Sequence, residues 1–223
     1  MRRGARAVSD AIAVIAAASA EIPGWTKGED AVEVARASMG LGEDAVLVEV
    51  GVYMGRCSVL LASPLCLKGS GMLHCVDPFD GSGDDFSIPH YRDGLNATGM
   101  ATLEEVFRHN IERLGLEDWI EVHKGKAAEV ASRWSQAIDL LLLDGDQSPK
   151  GAREAFEAWV PFLKPGGTII LRNTRDRVYE EGHDGHRRLV AEELVAPRFE
   201  TVRQVGATTF AIKSGAEAPG VRS

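Results

Sequence analysis

From residue 45 onward, short β-branched or leucine-rich runs alternate with helical patterns, yet the last two runs have almost no chain between them. Few folds accommodate both facts. The alternating part is the signature of a parallel sheet covered on both faces. Its strand-like runs are Val46 to Val50, Met72 to Val76, Trp119 to His123, Ile138 to Leu143 and Thr168 to Leu171. Between the last two, Ala152, Ala155, Phe156, Trp159, Val160 and Leu163 recur at the spacing of one buried helix face. Lys164-Pro165-Gly166-Gly167 then stops that helix. After a further helix around Arg187 to Val195 come Glu200 to Val205 and Thr208 to Lys213, separated only by Gly206 and its neighbour. So short a link cannot carry a parallel crossover, which predicts an antiparallel hairpin at the sheet edge.

A chain of 223 residues suits one such domain. With 44% hydrophobic and 26% charged residues it can bury a real core. The formal charge of −8 leaves no field to gather phosphate backbones or anionic lipid, so neither nucleic acid nor membrane is an expected partner. Cys57, Cys66 and Cys75 are odd in number and form no C-x-x-C pair, which implies neither a disulfide framework nor a cysteine zinc site and suits a cytoplasmic, reducing compartment. Arg2, Arg3 and Arg6 before the apolar run from Ala11 look like a short signal peptide. Ser9-Asp10 instead reads as an N-cap before an alanine-rich helix, which is the preferred reading. No run approaches the roughly 20 apolar residues of a membrane span. The expected organisation is N-terminal helices over 1–44, a main domain over 45–213 and a disordered tail over 214–223.

Two segments exceed what connection needs, Pro78 to Met100 and Arg172 to Gly185, and both follow strand C-terminal ends. In open α/β sheets that is the edge where ligands bind.

The first strand leads into Val48-Glu-Val-Gly-Val-Tyr-Met-Gly-Arg-Cys-Ser58. Gly51 and Gly55 allow a tight turn and close approach of the following helix, whose N–H groups face a bound ligand. A dinucleotide site needs a glycine where Tyr53 stands, so the site suits a ligand without a diphosphate. Glu49 at the strand end could hold an ammonium. The plainer reading is a structural glycine turn. Asp77, at the end of the second strand, is placed to accept both hydroxyls of a ribose, although an Asp before Pro is also a common turn-former. Gly125-Lys126 after the third strand would then lie beside an adenine. The fourth strand releases Asp144 toward the predicted cleft, Asp139 at its start is structural, and Asp146 is read as capping the helix after Ser148-Pro149.

With these residues in view the chain resembles the class I S-adenosylmethionine-dependent methyltransferases, and within them the small-molecule O-methyltransferase branch. The turn VEVGVYMGR is similar to the catechol O-methyltransferase form of the cofactor motif. The block IDLLLLDGDQSPKGAREAFEAWVPFLKPGGTIIL is similar to bacterial relatives, some of which methylate sugars and natural products. The resemblance implies a Rossmann-like three-layer α/β sandwich with a seven-stranded, mainly parallel sheet, and one bound S-adenosylmethionine. It places Glu49, Gly51, Tyr53, Gly55, Asp77, Lys126 and Asp144 at the cofactor. Asp144 falls where metal-dependent members have their first ligand, but their following Asp-Asn pair corresponds here to Asn173-Thr174. Hard cations prefer anionic oxygens, so a divalent metal such as magnesium is not favoured. Gln147 stands where many relatives have histidine.

The expected activity is transfer of a methyl group to a hydroxyl of a polar small molecule such as a sugar. Asp144, then His183 and His186, then His90 are the candidate bases. The polar loop Asp80-Gly-Ser-Gly-Asp-Asp85 leans toward a hydroxylated acceptor over a flat aromatic one. A nicotinamide-dependent oxidoreductase and an inactive binding module are the alternatives, and members of this branch often pair as homodimers.

Overall fold

The computed structural model describes residues 2–215, with side chains from residue 6 onward, so the expected tail lies outside the described residues from 216. The strands are β1 (Val46–Val50), β2 (Met72–Asp77), β3 (Ile120–Lys124), β4 (Ile138–Leu143), β5 (Leu163–Leu171), β6 (Phe199–Val205) and β7 (Thr208–Lys213). They form one sheet in the order β3-β2-β1-β4-β5-β7-β6. The first five run parallel, and β7 is antiparallel to both β5 and β6. The helices are α1 (Arg2–Ala20), α2 (Glu29–Met39), α3 (Arg56–Lys68), α4 (Ser87–Thr98), α5 (Leu103–Arg113), α6 (Ala127–Ala131), α7 (Pro149–Trp159) and α8 (Gly185–Glu192).

Strand alternation splits the core into two layers. Leu47, Leu73, Leu140, Leu142 and Ile170 face one side, packed with Ile12 of α1, Val34 of α2, Leu60 of α3 and Phe107 of α5. Val48, Leu141, Leu143 and Ile169 face the other, with Val130 of α6, Phe156 and Trp159 of α7 and Leu189 of α8. Burial on both faces is why β4 reads as the unbroken run Leu140 to Leu143. No helix among the described residues is long and apolar enough to cross a membrane.

Four local readings are corrected. Ser9-Asp10 lies inside α1, which begins at Arg2, so it is not an N-cap. The Lys164-Pro-Gly-Gly breaker sits within β5, where the register with β4 shifts between Ile138 and Leu140. The 78–100 segment contains α4, whose only buried residue is Ser87, so it has no apolar periodicity to reveal it. Its start is set by Asp84, which accepts from the Ser87 N–H (3.1 Å) and hydroxyl (2.7 Å). The cap of α7 is Ser148, whose hydroxyl accepts from the Gly151 N–H at 3.0 Å; Asp146 instead accepts from the Ser148 N–H at 2.8 Å. Asp139 is structural, as expected: it accepts from the Val46 N–H (2.9 Å) and from Lys164 Nζ (2.8 Å).

The N-terminal helices are tied to the main domain by two arginines, Arg56 of α3 and Arg172 after β5. Arg56 donates to the carbonyls of Ile22 (2.6 Å), Thr26 (3.0 Å) and Ala20 (3.0 Å). Buried Arg172, at the end of β5, pairs with Asp30 of α2 at 3.5 Å and also bonds Thr208 of β7. Asp30 accepts in turn from the Ala207 N–H of the hairpin turn at 3.1 Å.

Candidate active site

A cavity of about 650 Å³ opens at the carboxyl ends of the parallel strands, walled by the 78–100 and 172–185 segments and by residues 23–26 before α2. Its floor is backbone. The Gly51 N–H donates to Val76 O and the Asp144 N–H to Val50 O, each at 2.9 Å, which extends the ladder past the strand ends. Gly51 has φ +84, and a Cβ there would lie 2.4 Å from Gly145 Cα. Only glycine fits where the loops after β1 and β4 touch. Gly55, at φ 94, begins α3.

Asp77 closes this turn. Its Oδ2 accepts from the N–H groups of Val52 (2.8 Å) and Tyr53 (3.2 Å), and its Oδ1 from that of Phe79 (2.7 Å). A carboxylate offers about four acceptor sites, and three are taken here. Burial pushes the Asp77 carboxyl up despite these bonds.

Glu49 is completely buried in the central strand and lines the cavity. Its Oε2 accepts from the Ser58 hydroxyl at 2.6 Å, while Oε1 has no partner among the described residues. Burial, with the Asp144 and Asp77 charges nearby, pushes its carboxyl well above the usual range, and the Ser58 bond offsets this only in part. A buried, unsatisfied carboxylate oxygen is costly unless a donor fills the space beside it.

Lys126 lines the cavity beside Gly125. Tyr53, at φ 52, turns its ring into an aromatic wall with Trp25 and Tyr91, the centroids 5.2 to 6.0 Å apart. Its hydroxyl packs where a Cβ on Gly94 of α4 would otherwise sit.

Asp144 and His183 both line the cavity, and the structure brings them together. Asp144 Oδ2 lies 3.5 Å from Arg172 Nε, and Oδ1 accepts from Gln147 Nε2 at 3.4 Å. Burial lifts its carboxyl to about 6, against the lowering charge of Arg172. His183 Nδ1 is 2.8 Å from Asp84 Oδ1, and Nε2 is 3.0 Å from Asn173 Nδ2. An ionised carboxylate only accepts, so the proton sits on Nδ1 and Nε2 accepts from the Asn173 amide. Burial alone would raise Asp84, but the hydrogen bonds from His183 and Ser87 hold it down at about 2.

His186 does not belong to this group. It is buried off the cavity, its Nδ1 bonded to Arg172 O at 3.1 Å, and burial pushes it down to about 4. His90 lies at the rim, Nδ1 against Phe86 O at 2.8 Å. Thr174 turns its hydroxyl to Thr209 (2.7 Å), away from the cavity. With Thr174 turned away, Arg172 beside Asp144 and Asp84 committed to His183, the donor set does not fit a divalent cation.

Sequence reasoning passed over Asp84 and Arg172. Each is an ordinary loop or strand-end residue until the fold brings a partner, His183 or Asp144, within reach.

A model of the methyltransferase domain matches residues 48–174, the segment that carries the glycine turn, Asp77 and Asp144. Among solved structures the chain is similar to an O-methyltransferase from Bacillus cereus in complex with SAH, at 20% identity and TM-score 0.60, over 92% of this chain and 90% of that one. It is similar to TomG, an O-methyltransferase from Streptomyces achromogenes in complex with SAM, at 17% identity and TM-score 0.61, over 92% and 90%. An rRNA methylase from Streptococcus thermophilus shares the fold at 14% identity and TM-score 0.56, over 86% and 99%. The seven-stranded order, the glycine turn and the matched segment agree: this chain belongs to the methyltransferase domain family.

Proposed function

We propose that the chain binds S-adenosylmethionine in this cavity and methylates a hydroxyl of a small, ring-shaped acceptor. The observation that carries the reading is Glu49, a cavity-lining residue whose buried Oε1 has no donor among the described residues. The ammonium of a methionine moiety is such a donor. Asp77 has one acceptor site left for a ribose hydroxyl, and Lys126 flanks the adenine end. When bound, the sulfonium supplies an electrophilic methyl group and loses its positive charge on transfer.

The chain's own residues do the rest. His183 Nε2 exchanges its bond to Asn173 for the acceptor hydroxyl and takes its proton, while Asp84 fixes the tautomer and stabilises the imidazolium. The Asp144 carboxylate accepts from a neighbouring hydroxyl of the acceptor and so orients the reacting one, and Arg172 holds that carboxylate in place. Residues 1–44 serve as the cover, with Trp25 against Tyr53 and Tyr91, and 45–213 as the catalytic domain. The aromatic wall suits the flat face of a sugar or an arene, and the polar loop 80–85 favours the sugar. The acidic charge disfavours a nucleic-acid acceptor.

Calorimetry with S-adenosylhomocysteine tests the cofactor. Glu49→Gln should weaken binding by about 2 kcal/mol, roughly thirtyfold, because it removes a charged hydrogen bond. Equal affinity in the variant would take the ammonium away from Glu49. Screening glycosides against catechols with labelled cofactor tests the acceptor, and exclusive catechol turnover would reverse the lean to sugars.

Asp144 also sets a pH dependence. Below about 6 its carboxyl is protonated and loses the charge that strengthens its hold on the neighbouring acceptor hydroxyl and on Arg172, so kcat/KM should fall on the acid side of that value. In Asp144→Asn transfer should drop by about a hundredfold or more with the fold retained. A near-normal rate would remove Asp144 from the mechanism.

A further inference from the structure

Across the middle of the sheet one row of register partners reads Glu121-His74-Val48-Leu141-Ile169-Ala211. From Val48 onward the row is apolar and part of the core packed against α6, α7 and α8. At its outer end it turns polar. His74, on β2, is 3% exposed, a position where an imidazole loses hydration that an aliphatic side chain never had. Glu121 and His123 lie two apart on edge strand β3, so their side chains share the face of His74.

The three side chains converge. His74 Nδ1 lies 3.0 Å from His123 Nε2 and 3.4 Å from Glu121 Oε2, and His123 Nε2 lies 3.6 Å from Glu121 Oε1. Ligand bonds of about 2.0–2.1 Å in a tetrahedral zinc site put donor atoms about 3.3 Å apart. The His74–His123 spacing and the His74–Glu121 Oε2 spacing bracket that edge length. Trp134 backs the group, its ring 4.8 Å from that of His74 and 5.7 Å from that of His123, leaving the Glu121 side open to water.

We propose that His74, Glu121 and His123 form a site for a divalent transition ion of the zinc class, with water as fourth ligand, that pins edge strand β3 to β2. In the metal-free form one proton lies between His74 Nδ1 and His123 Nε2; when the ion takes its place the proton moves to the other nitrogen of its own ring, so both rings ligate as neutral imidazoles. Two imidazoles and one carboxylate select zinc-like ions over magnesium or calcium, which prefer all-oxygen shells. None of the three residues lines the cavity, so the site stands independently of methyl transfer.

The full-length chain, stripped with a chelator, is titrated with Co²⁺ as the probe. The expected result is one equivalent bound with the visible absorption of tetrahedral cobalt, displaced by Zn²⁺, and a melting temperature that zinc raises. Glu121→Gln and His123→Ala, at partly exposed positions that should leave the fold intact by circular dichroism, should each weaken cobalt binding by about tenfold or more. Asp144→Asn should leave the cobalt spectrum unchanged, and His123→Ala should leave methyl transfer unchanged. Absence of the tetrahedral spectrum, or its full retention in both β3 variants, would overturn the proposal.

Discussion

Gly51→Ala should lower the melting temperature by roughly 10 °C and abolish S-adenosylhomocysteine binding. The added Cβ would sit 2.4 Å from Gly145 Cα, 2.5 Å from Gly145 N and 2.7 Å from Asp144 C, all backbone atoms that cannot swing aside. Overpacking of this kind costs about 1–3 kcal/mol, and a φ of +84 adds about 1–2 kcal/mol for a residue with a Cβ. Relief requires the loops after β1 and β4 to separate. That shift displaces Asp144 and unseats the N–H groups of Val52 and Tyr53 from Asp77, so stability and binding fail together. Gly42→Ala is the control: no atom lies within 4 Å of its Cβ, and it should melt within about 2 °C of the parent. A Gly51→Ala protein that matched this control would mean that the two loops need not touch.

His183→Ala should reduce kcat by about 10² to 10⁴ and leave the affinity for S-adenosylhomocysteine unchanged. Asp84→Asn should be nearly as damaging by a different route. An asparagine amide can donate to Nδ1, which moves the imidazole proton to Nε2 and leaves no acceptor facing the substrate hydroxyl. His186→Ala discriminates between the two histidines, because its Nδ1 meets only the Arg172 carbonyl. It should alter stability rather than kcat. Single-turnover kinetics would separate these outcomes, and loss of chemistry in His186→Ala with normal turnover in His183→Ala would invert the assignment.

The strands were legible because burial on both faces leaves a run such as Ile138 to Leu143 with one reading only. The hairpin followed from chain length, since two residues cannot cross a sheet. Helix α4 was hidden for the opposite reason: it buries only Ser87, and its start depends on Asp84 rather than on an apolar stripe. The glycine turn announced itself through spacing within one loop. The Asp84–His183 pair could not, because its members are 99 residues apart and meet only after the sheet brings two loops to the same edge. His186 was indistinguishable from His183 in sequence, being three positions along the same segment. Its position at the start of α8 turns it into the interior instead.

Arg172 makes the two ends of the chain interdependent. One buried guanidinium faces Asp30 near the amino terminus, Thr208 near the carboxyl terminus and Asp144 between them. A fragment trimmed to begin at β1 would strip this cation of Asp30, one of its two anions, so the leading helices are structural tenants of the domain as well as its cover.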